Sequence, residues 1–121
     1  MIETEGLTHV QLVVRDVHRS LAFYEAVFGM EVRFWDGDRM VFIGTPGRRD
    51  TITLNQVDDL ERVGVVGGVD HIGFRLLDKS RLDDAVATVI DAGGRLVERG
   101  QHSPDQSFAY VADPDGHVIE L

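Results

Sequence analysis

The chain of 121 residues contains no cysteine. That absence removes disulfides, thiolate zinc sites and cysteine nucleophiles together, so any metal held here must be held by nitrogen and oxygen. No apolar run approaches the ~20 residues a helix needs to cross a bilayer, and no membrane insertion is expected. The opening "MIETEGLTHV" lacks the basic segment and apolar core of a signal peptide, which predicts a cytoplasmic protein. Positive charge is scarce as well. Twelve Lys and Arg stand scattered against 21 Asp and Glu, a net charge of −9 that opposes the phosphate attraction on which nucleic-acid binding depends. What remains is a composition 43% hydrophobic and 27% charged, suited to one ordinary domain over 1–121 with a real core.

The chain is written twice. "GLTHVQLVVRD" (6–16) aligns without a gap on "GVDHIGFRLLD" (68–78) at an offset of 62, with His9 over His71 and Asp16 over Asp78. Both copies alternate as half-buried strands do: Val10, Leu12 and Val14 share one face, and His9, Gln11 and Val13 the other. Ile72, Phe74 and Leu76 likewise oppose His71, Gly73 and Arg75. Each Asp is placed to cap a helix. The first carries Val17, Leu21, Tyr24 and Phe28 on one stripe and stops at Gly29; the second carries Leu82, Ala85, Val89 and Ala92 before Gly93-Gly94. Three short strands follow each helix, at about 31–35, 39–44 and 51–57, then about 95–99, 107–112 and 117–121. The expectation is therefore an α+β fold of two βαβββ modules, about 6–57 and about 68–121.

The last strands also correspond, "ITL" (52–54) with "IEL" (119–121), at an offset of 67. Glu120 thereby falls on the face that carries the two histidines, with Thr53 at the matching place in the first module. His9, His71 and Glu120 form a two-histidine, one-carboxylate set that suits Fe(II) and also accepts Mn(II), Ni(II) or Zn(II). The alternative is a polar His/Glu cluster bridged by water. His18, on the polar side of its helix, and His117, beside a tight turn, are expected on the surface with no role. "GQHSPDQ" reads as a polar loop carrying His102, and Tyr110 lies across the "DPDG" turn from Glu120. That turn itself carries no chemistry in this reading.

Together "THVQLVVRDVHRSLAFYEAVFGMEV", "DHIGFRLLD" and "YVADPDGHVIEL" resemble the vicinal oxygen chelate superfamily, which holds glyoxalase I, bleomycin-resistance proteins, fosfomycin thiol transferases and extradiol dioxygenases. The resemblance implies a cup-shaped, barrel-like mixed sheet with the helices outside, and a divalent metal on His9, His71 and Glu120 at its floor. It also implies a small-molecule substrate and a homodimer. Among the subfamilies, glyoxalase I enzymes have a Glu ligand where this chain has Thr53. Bleomycin-type binders need no such ligand set, and fosfomycin transferases continue past the Glu to a basic residue. The extradiol signature fits Gly100, His102, Tyr110, Asp113, Pro114, Gly116 and Glu120, departing only at Ala109. It adds His102 and Tyr110 as catalytic candidates, although "TITLNQV" (51–57) lacks the histidine those enzymes place there. The leading expectation is an Fe(II) oxidation of a vicinal diol or catechol. The alternatives are a glyoxalase-type isomerase, a thiol transferase or a small-molecule-binding protein.

Overall fold

The structure is a computed structural model that describes residues 1, 9–64, 69, 71–74 and 76–121, apart from the side chain of His102. Residues 6–8 and 68, where the repeated segments begin, and Arg75 lie outside the described residues.

Strand β1 (Val10–Val14) runs into Asp16, whose carboxylate accepts from the backbone N–H groups of His18 and Arg19 and so starts α1 (Val17–Phe28). These bonds to the charged form hold the Asp16 carboxyl below its ordinary value, the Arg19 amide contributing most. Gly29 ends the helix at φ 62°, a left-handed position that glycine adopts without strain. β2 (Glu31–Asp36), β3 (Met40–Gly44) and β4 (Ile52–Gln56) complete the module. The second module repeats the order with β5 (Ile72–Gly73), α2 (Leu82–Asp91), β6 (Arg95–Ser103), β7 (Gln106–Ala112) and β8 (Val118–Glu120). Asp78 here caps a short 3-10 turn, Lys79–Arg81, that leads into α2.

The two sheets have the same plan, β1-β4-β3-β2 and β5-β8-β7-β6, with β1 parallel to β4 and β5 parallel to β8. Among the described residues they remain two four-stranded mixed sheets and do not close as a barrel. Their registers reproduce the repeat. Gln11, Thr53, Phe42 and Phe34 are paired in one row across the first sheet. Gly73, Glu120, Tyr110 and Glu98 form the corresponding row across the second. Thr53 thus occupies the place that Glu120 holds in its own module.

Each helix packs on its own sheet, α1 against β3 and β4 and α2 against β6 and β7, and the two helices touch. One core therefore serves both modules: Leu12, Val14, Val41 and Leu54 from the first sheet, Val111 and Ile119 from the second, and Phe23, Tyr24, Val86 and Val89 from the helices. Each such side chain taken fully from water contributes about 1.5–3 kcal/mol. Because strand side chains alternate, the row carrying Phe42 and the row carrying Tyr110 face away from this common core.

Two elements differ from expectation. β6 continues to Ser103, so most of the polar "GQHSPDQ" stretch is strand, closed by a tight turn at residues 104–105. Gly100 permits this, since a Cβ there would sit 2.5 Å from the Phe108 ring. The ladder shifts between Gln101 and Ser103, which places His102 at a bulge. An exposed strand end has no buried face, hence no alternation to read. β5, by contrast, is only two residues long where β1 has five.

Candidate functional site

The second module brings together Glu120, His71 and Tyr110. Glu120 Oε2 lies 3.2 Å from His71 Nε2, and both side chains remain roughly a quarter to a third exposed, at 27% and 30%. Tyr110 is the direct cross-strand partner of Glu120, and its ring centroid lies 5.0 Å from that of His71. Phe108 continues the aromatic line at 5.1 Å from Tyr110. Beside Glu120 and Gly73 opens a groove of about 920 Å³, walled by Phe74, Leu82 and Phe108 among others.

His9 lies in the other module. Its ring meets Phe42 edge-on at 5.9 Å between centroids. Among the described residues no three His, Asp or Glu side chains are gathered closely enough to hold a metal ion. The structure joins His71, Glu120 and Tyr110, and the strand that follows His9 comes close to His71, for Gln11, Val13 and His71 line one small cavity. The donors that are present suit a divalent ion, since an imidazole and a carboxylate stand side by side on a half-exposed face. Position 102 is on β6, and its side chain lies outside what the structure describes.

The "DPDG" turn does more than reverse the chain. Asp113 is buried, and its Oδ1 accepts from the backbone N–H groups of Asp115 and His117. Its Oδ2 lies 2.9 Å from His117 Nδ1 and accepts from the Tyr24 hydroxyl of α1 at 3.1 Å. Asp115 accepts from Arg19 at 2.6 Å and from the Ser20 hydroxyl at 3.0 Å. The two carboxylates thus clasp the second module to the helix of the first. His117 is buried inside this clasp and not on the surface as its position beside a turn suggested; the carboxylate that repays its desolvation is four residues earlier in its own turn. A signal was present in the sequence, because a tyrosine on an apolar helix stripe needs a partner for its hydroxyl. His18, in contrast, is exposed as expected and rests against Trp35 at 5.4 Å.

Burial, and secondarily the neighbouring Asp113 carboxylate, hold the Tyr24 phenol well above its ordinary value. A phenol whose folded value is raised contributes stability that is fully present below the unfolded value of about 10 and is lost as pH rises beyond it. Urea denaturation between about pH 8 and about pH 11 should show wild type losing stability relative to Tyr24→Phe at the alkaline end. Parallel profiles for the two proteins would refute this.

Comparison with known proteins agrees with this geometry. The model of the Glyoxalase/Bleomycin resistance protein/Dioxygenase superfamily matches residues 6–121. The chain belongs to that superfamily. It is 26% identical over 118 residues to the metallothiol transferase FosB of Shouchella clausii, covering 96% of this chain and 78% of that protein. It is 30% identical over 123 residues to the catechol-2,3-dioxygenase of Bacillus subtilis, covering 98% of this chain but 41% of that enzyme. The fold superposes on the E126Q mutant of the fosfomycin resistance protein FosX from Listeria monocytogenes, complexed with Mn(II) and 1S,2S-dihydroxypropylphosphonic acid. That match has a TM-score of 0.80 at 22% identity and covers 98% of this chain and 90% of the other. No helix among the described residues is long and apolar enough to cross a membrane.

Proposed function

We propose that this protein is a homodimeric metalloenzyme in which His9 of one copy joins His71 and Glu120 of the other around a divalent ion, Fe(II) in the favoured case. The observation that carries this is the 3.2 Å approach of Glu120 to His71 on an outward-facing row, with Tyr110 paired to Glu120. In this arrangement a second copy brings its first module to the second module of its neighbour, a closed two-fold pairing. The short edge strand β5 also leaves a sheet border that such pairing covers.

The reaction proposed is extradiol-type cleavage of a catechol or related vicinal diol, in which both atoms of O₂ enter a ring-opened product. When bound, the ion would act as a Lewis acid on two adjacent substrate oxygens and orient them. The Tyr110 hydroxyl hydrogen-bonds one of those oxygens and holds the substrate in register. β4 reads "ITLNQ" and has no histidine to act as base, so the proton passes to Tyr110, to His102 or to solvent, at a cost of about 10²-fold against a well-placed base. A second reading, thiol transfer, is supported by the near full-length similarity to FosB.

The test is anaerobic Fe(II) loading followed by catechol with O₂, with two controls: a glutathione hemithioacetal, and fosfomycin with a thiol. Oxygen uptake with a yellow product supports the proposal. Isomerisation of the hemithioacetal, or consumption of fosfomycin, without oxygen uptake assigns the site to the corresponding relative instead. Sedimentation showing only monomer at micromolar concentration would contradict the shared site.

A further inference from the structure

The two outward rows match in position but differ in chemistry. The row in the second module reads Gly73, Glu120, Tyr110, Glu98, acidic and hydrogen-bonding. The row in the first reads Gln11, Thr53, Phe42, Phe34, uncharged and ending in two aromatic rings. Those rings stack nearly parallel, 4.2 Å between centroids and 15° between planes, and Phe42 in turn meets His9. Phe34 stays 53% exposed. A benzyl side chain left in water forgoes most of the stabilisation that burial would give it, and the free face of a stacked pair is suited to a third flat ring.

We infer that Phe34 and Phe42 form the wall against which the planar ring of an aromatic, uncharged substrate stacks, while the second module of the neighbouring copy holds its oxygens. This rests on the shared-site reading above and deepens it: the first module selects the ring, the second binds the polar end. Selectivity follows from the division. A ligand that carries only the chelating oxygens uses one face; a ligand with an adjoining aromatic ring uses both. A small phosphonate finds no cation in the row of the first module.

The inference is tested with two chelators that share one metal-binding group, acetohydroxamic acid and benzohydroxamic acid, the second carrying a phenyl ring. Calorimetric titration of the Zn(II)-loaded full chain, which does not turn over, gives both dissociation constants. Benzohydroxamate should bind about tenfold more tightly. Phe34→Ala should remove that advantage and leave acetohydroxamate unchanged, and Phe34→Tyr, which keeps the ring, should restore it. Equal binding of the two chelators by wild type, or equal loss of both in Phe34→Ala, overturns the inference. If neither chelator binds, the metal reading has failed. The wall is then read from 2-naphthol on metal-free protein, where binding weakened about tenfold by Phe34→Ala supports it and unchanged binding overturns it. Should Phe34→Ala weaken the dimer itself in sedimentation, the ring is a contact between copies and the inference is likewise overturned.

Discussion

Glu120→Gln is expected to lower divalent metal affinity by about a thousandfold or more. The substitution preserves size and strand geometry but removes the one anionic donor of the proposed set. Loss of an outer-shell partner alone typically costs 10–100-fold, so loss of a direct ligand should exceed that. The side chain is only partly buried and pairs with His71 at 3.2 Å, so the amide is accommodated without unfolding. Competition with a chromophoric chelator gives the affinities, and denaturation of both proteins confirms an intact fold. Metal content equal to wild type would remove Glu120 from the site.

Asp113→Ala should have the largest effect on stability, a loss of about 3–5 kcal/mol. Four donors converge on this one buried carboxylate: two backbone N–H groups, the His117 ring and the Tyr24 hydroxyl. Truncation leaves them in a core with no acceptor, and each unsatisfied buried group is costly. Because Tyr24 belongs to α1 and Asp113 to the other module, the loss is one of attachment between modules as well as of a turn. Urea denaturation measures it. A change below about 1 kcal/mol would show that the clasp is incidental.

The repeat was legible because its signals are local. Offsets of 62 and 67 between matching apolar patterns predicted two βαβββ units, and the pairings Gln11 with Thr53 and Gly73 with Glu120 reproduce both. Asp16 and Gly29 bounded α1 for reasons of capping and backbone freedom that any sequence displays. The end of β6 was not legible, since a strand with solvent on both faces has no alternation. Nor was the burial of His117, since its partner Asp113 comes from a turn that folds back on itself, and Asp113 is tied in turn to Tyr24 of a helix 89 residues away. The alignment put His9, His71 and Glu120 on equivalent faces, and the registers pair Gln11 with Thr53 and Gly73 with Glu120, but equivalence is not proximity. Whether two like faces meet inside a chain depends on how the modules pack, which the period of a strand does not encode.

Subunit complementation tests the shared site most directly. His9→Ala and Glu120→Gln are each purified, shown to bind little metal alone, then mixed under conditions that exchange subunits. In a mixed dimer His9 of the Glu120→Gln chain meets His71 and Glu120 of the His9→Ala chain, so one complete site returns. An equimolar mixture should recover roughly a quarter of the wild-type metal content, because about half of the dimers are mixed and each holds one intact site of two. Recovery near that fraction is the predicted result; a mixture that binds no more metal than its separate components would contradict a site built from two copies.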